Sequence, residues 1–99
     1  MMMEKNILME LKQQLTKENM IGDINLTHVR EDFYPDVYQY IKDTSNNEAK
    51  VMFAKFKRHR LNKICRLACV GDDSAFDLLT PEEMCLYISL VESVEKYWK

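Results

Sequence analysis

The chain has only two glycines and two prolines in 99 residues. All-β folds need turn residues every ~8–12 positions, so this scarcity excludes a sandwich or barrel and points to helices. With so little glycine there is no phosphate-cradling loop, and no EF-hand spacing occurs. No segment approaches the ~18–20 consecutive apolar residues of a membrane span, so no membrane role is expected. The opening stretch MMMEKNILMELKQQL is interrupted by charges, and no small-residue cleavage site follows, unlike a signal peptide. Three cysteines are an odd number and unlike a disulfide framework. They fit an intracellular setting, cytoplasmic or nuclear and nucleoid.

What is present fits one domain over residues 1–99 with a modest core, since 46% of residues are apolar and 30% charged. Apolar spacing predicts four helices, over about 4–20, 32–43, 47–70 and 81–98. The first carries Ile7, Leu8, Leu11 and Leu15 and stops at Gly22. The second has Asp32 as its expected cap and Pro35 in its first turn. Its apolar face is Phe33, Val37, Tyr40 and Ile41. The third follows TSNNE, ends at Gly71, and would be about 36 Å long. The fourth opens with Thr80-Pro81-Glu82-Glu83, a capping box with proline at the first helical position. Met84, Tyr87, Ile88, Val91, Val94 and Trp98 then form its expected stripe. Residues 21–31 read as a connector. The fold class is therefore all-α, a bundle of four helices.

Charge is unevenly placed. KFKRHRLNKICRLA, residues 55–68, holds six bases and no acid, in a chain of net charge −2. On a helical wheel with Lys55 at zero, Phe53, Phe56, Leu61, Ile64, Leu67 and Ala68 span about 100–240°. Lys55, Arg58, His59, Lys63 and Arg66 occupy the opposite arc. They read as a solvated face, and as the candidate nucleic-acid surface, since phosphate contacts need clustered cations. Arg60 and Lys57 fall inside the apolar arc, at about 140° and 200°. A base there must be paired or reach out along its stem, so both are expected in structural ion pairs. Candidate acids are Asp32, Glu82, Glu83, Glu92 and Glu95.

The remaining chemistry-bearing residues give weaker patterns. Cys65 and Cys69 sit at i, i+4, but no second ligand pair completes a zinc motif. All three cysteines read as small buried residues, and no metal or cofactor is expected. Asp72, Asp73 and Asp77 read as solvating a turn. With no catalytic constellation, an enzyme is not expected. Tyr34, Tyr38 and Tyr40 divide between packing and contact surface. Tyr87, Val91, Val94, Tyr97 and Trp98 are the candidate protein interface.

Three stretches together resemble a known family, the GINS subunits. EDFYPDVYQYI resembles the D-F-Y segment that opens their second helix. RHRLNKICRLA is similar to an R-x-x-K-I-x-x-x-A segment in their long third helix, matched by Arg60, Lys63, Ile64 and Ala68. LLTPEEMCLYISLVESV is similar to an L-T-x-E-E-x-x-L-Y-x-x-L-v-e helix. Leu79, Thr80, Glu82, Glu83, Leu86, Tyr87, Leu90 and Glu92 match it. The resemblance covers residues 32–94 in order and spacing. It implies the helical domain of a non-catalytic, oligomeric scaffold of the replicative helicase. The implied partners are GINS-type subunits, the MCM helicase and a RecJ-like protein. The alternative is a small helical DNA-binding protein using the basic face of residues 55–66.

Overall fold

The structure is a computed structural model that describes residues 6–22, 25–71, 74 and 76–97. Four helices and no strand occur among the described residues: α1 (Ile7–Met20), α2 (Phe33–Thr44), α3 (Asn47–Val70) and α4 (Pro81–Tyr97). A short 3-10 turn, Phe76–Leu78, precedes α4.

Local chemistry sets most of these boundaries. The Asn6 side chain accepts from the Met9 amide at 3.0 Å, so α1 starts at Ile7. Residues 4 and 5 of the expected first helix lie outside the described residues. Asn46 caps α3 in the same way, accepting from the Ala49 amide at 3.0 Å. Gly71 closes α3 in the left-handed region, at φ 68°, where a side chain is disfavoured. Asp32 departs from expectation: it precedes α2 but its side chain makes no capping bond. Ser45 ends α2 at φ 53°, a left-handed position held by a non-glycine residue.

α3 is the central element, and α1, α2 and α4 all pack on it. The resulting bundle is elongated, about 52 Å along its longest axis. Its apolar interior falls into two clusters. Around the first half of α3, Phe53, Phe56 and Ala49 pack with Leu11, Val29, Phe33, Tyr34 and Val37. The Phe33 and Phe56 rings meet edge to face, with centroids 5.3 Å apart. Around the second half, Ile64 and Ala68 pack with buried Tyr87, flanked by half-buried Leu67, Leu79, Leu90 and Val91.

Candidate functional site

Between the two clusters lies a belt of buried charge. Arg60 is central to it and only 1% exposed. Its position on α3 is the seam between the aromatic half and the smaller half. Its Nε donates to Glu83 Oε2 at 2.8 Å and its Nη2 to Glu83 Oε1, a two-pronged pair. Nη2 also donates to the Leu78 carbonyl at 2.9 Å. Nη1 donates to the Thr27 carbonyl at 2.8 Å and to Glu18 Oε1 at 3.1 Å. A guanidinium has five N–H donors, and all five are used.

Glu83 is equally occupied. Besides Arg60, its Oε1 accepts from the Thr80 amide at 3.1 Å, and its Oε2 accepts from the Tyr34 hydroxyl. The Thr80 hydroxyl accepts in return from the Glu83 amide at 3.2 Å. One carboxylate thus completes the capping box of α4 and binds the arginine of α3. That double use explains how the turn before α4 and the middle of α3 are held in register.

Glu18, on the last turns of α1, closes the network. Its Oε1 accepts from the Thr27 hydroxyl at 2.6 Å as well as from Arg60. Its Oε2 accepts from Lys63, whose Nζ also reaches the Glu18 carbonyl at 3.0 Å. Two bases and two acids leave the belt neutral, and their mutual attraction and hydrogen bonds offset the desolvation of each charge.

These partners set the titration of the belt. Burial opposes the Arg60 charge, but Glu83 and Glu18 outweigh it and raise its pKa above the ordinary value. Burial pushes the Tyr34 hydroxyl well up, and the Glu83 charge pushes it further, so Tyr34 stays a donor. Burial would raise the Glu18 carboxyl, but its bonds from Lys63 and Thr27 and the Arg60 charge hold it below its usual value.

The expected site residues divide on this geometry. Arg60 pairs with Glu83, one of the candidate acids, and also with Glu18, which the sequence reading passed over. Glu18 continues the Leu8, Leu11, Leu15 stripe at helical spacing, and an acid on a buried stripe is a signal of a pair. Lys57 differs from expectation: it makes no ion pair among the described residues. Its Nζ lies 4.7 Å from the Phe53 ring centroid and 5.2 Å from that of Tyr38, so aromatic faces take the place of a carboxylate. Lys63 must be removed from the solvated face. It is 3% exposed and bound to Glu18, because α1 crosses α3 on that side. Lys55, Arg58 and Arg66 are exposed and His59 half-buried on the outer side of α3. Leu61, expected in the core, is 43% exposed.

The expected interface on α4 also changes. Tyr87 is buried and meets Phe76 edge to face at 5.1 Å, so it belongs to the core. Val91 and Val94 are half-buried, Tyr97 is exposed, and Trp98 lies outside the described residues. Ile88 faces solvent, while Glu83 and Leu90 take places on the packed side. Tyr34 is buried, Tyr40 half-buried and Tyr38 exposed. Cys69 and Cys85 are exposed and Cys65 half-buried, against the expectation of three buried thiols. Asp77 is exposed, and Asp72 and Asp73 lie outside the described residues. No group of three or more metal-ligating side chains occurs among the described residues. No helix among them is long and apolar enough to cross a membrane.

A scan against protein-family models, a search of curated proteins and a search of solved structures each find no match to this chain.

Proposed function

We propose that this chain is a non-catalytic scaffold or adaptor subunit of a DNA replication assembly, built like the helical domain of GINS subunits. The observation that carries the reading is the convergence of the motif residues. Tyr34 from the D-F-Y segment, Arg60 and Lys63 from α3, and Thr80 just before α4 with Glu83 in its first turn come from three separate stretches. Glu18 of α1, outside the motifs, joins Lys63 to Arg60 and completes one buried, neutral network with them. Residues placed this way hold helices in register, and their charges are spent on one another rather than on a substrate. The partners on this reading are GINS-type subunits, the MCM helicase and a RecJ-like protein.

Light scattering after size-exclusion chromatography tests it, with and without a short DNA duplex at low salt. A dimer or tetramer whose mass ignores the duplex supports the scaffold. Co-elution with the duplex overturns it in favour of the second reading, a DNA-binding protein. That reading draws on Lys55, Arg58 and Arg66, which are exposed along α3 and form no ion pair among the described residues. Its affinity would fall steeply with salt, in proportion to the phosphates neutralised.

A further inference from the structure

We propose that the groove between α2 and α4, floored by α3, docks a helix of a partner protein that is apolar on one face and acidic beside that face. The inference rests on the scaffold reading and names the chemistry of its partner.

Three exposed apolar side chains from three different helices line this one groove: Tyr38 of α2, Leu61 of α3 and Leu86 of α4. Leu61 lies on the apolar arc of α3, yet no helix of the described chain covers it. The second helix reaches the aromatic half of α3, α4 reaches the other half, and the gap between them falls over Leu61. The groove encloses about 370 Å³. That is room for the side chains of an i, i+4 apolar pair, the pattern by which an amphipathic helix enters a groove.

Charge identifies the kind of helix. Lys57 and Arg58 stand on the α3 wall, and Glu82 stands on the α4 wall. Arg60 and Glu83 also line the groove but neutralise each other. Lys57 is partly desolvated by two aromatic rings and touches the Tyr38 hydroxyl at 3.4 Å, without a carboxylate. Arg58 is exposed and likewise without one among the described residues. The uncompensated charge of the groove is therefore positive. A carboxylate arriving beside Lys57 meets an ammonium that the two rings already hold in place. A nucleic acid fits less well, since leucines offer phosphates nothing and Glu82 repels them. A second copy meeting it groove to groove would bring its own Lys57 and Arg58 with its Glu82, and so no net acid.

The test is a displayed library of peptides about 16 residues long, helical and randomised at apolar and flanking positions, selected on the folded chain. Expected winners carry an i, i+4 apolar pair with Asp or Glu beside it, and they shift amide NMR signals around Leu61 and Leu86. Leu61→Glu is expected to weaken them by more than about tenfold at an unchanged melting temperature, because that side chain is exposed. Lys57→Glu with Arg58→Glu should redirect selection toward basic peptides. Winners without acid bias, winners that bind elsewhere, or no winners at all overturn the groove and leave the scaffold standing. Self-association lost in Leu61→Glu also overturns it, in favour of a second copy. A DNA duplex that shifts the groove amides overturns both readings.

Discussion

The two halves of α3 are stabilised by different means. The first half is packed by large rings, with Phe53 and Phe56 against Phe33, Tyr34 and Val37. The second half has a smaller buried apolar cluster among the described residues, formed by Ile64, Ala68 and Tyr87. Each buried Phe contributes about 1.5–3 kcal/mol of transfer free energy, so the aromatic half draws mainly on burial, with Arg30 bridging Glu10 of α1 and Asp36 of α2 at its rim. The half that carries α4 depends on the ionic belt at its edge. Directional bonds there do what apolar area does elsewhere. They fix the register of α4 against α3, at the cost of tolerating no missing partner.

Breaking the belt should therefore separate the halves. Glu83→Ala leaves two buried bases sharing Glu18, takes the acceptor from the Tyr34 hydroxyl and removes half of the capping box. It is expected to cost about 3–5 kcal/mol in denaturant unfolding. The loss of amide protection should fall mainly on α4; an equal loss in α1 and α2 would show that the halves are not distinct. Phe56→Leu trims the aromatic half without a charge. It is expected to cost about 1–2 kcal/mol and to lower protection throughout, with α4 no worse than the rest.

Acid sharpens the contrast through Glu18. Its folded pKa lies below the ordinary 4.5. A carboxyl lowered by folding stabilises the protein above its unfolded pKa, and that contribution is lost as pH falls through the lower folded value. Stability should thus be level above about pH 5.5 and decline below about 4.5. Glu18→Gln should flatten the decline while lowering stability at neutral pH, because Lys63 loses its carboxylate and Arg60 keeps only Glu83. A melting series from pH 3 to 7 checks both signs. The smallest expected effect is away from the belt. Ser45→Gly relieves a left-handed non-glycine residue at the end of α2 and should stabilise by about 0.5–1 kcal/mol, without changing the ranking of the halves.

Much of the framework was legible because its signals are local. Asn46, Gly71 and the Thr80 box mark helix ends within a few residues, and α3 runs over 47–70 as the spacing predicts. Arg60 stood out because a base on an apolar arc needs a partner. The identity of the partners was not legible to the same degree. Glu83 was one candidate among several acids, and Glu18 was not considered. Lys63 sits at the margin of the apolar arc, where one neighbouring helix decides between water and burial. Lys57 satisfied the same wheel argument as Arg60 but found rings instead of a carboxylate. Tyr87 reads as contact surface in the sequence, because nothing local reveals that the 3-10 turn folds Phe76 against it.

The most direct measurement is native-state hydrogen exchange of the unmodified chain in increasing denaturant. If the ionic belt pins α4 to an independently packed aromatic half, α4 amides open in a separate step, below the free energy of global unfolding, while the first half of α3 exchanges only by global unfolding. A single common opening energy for α4 and the first half of α3 would contradict that division.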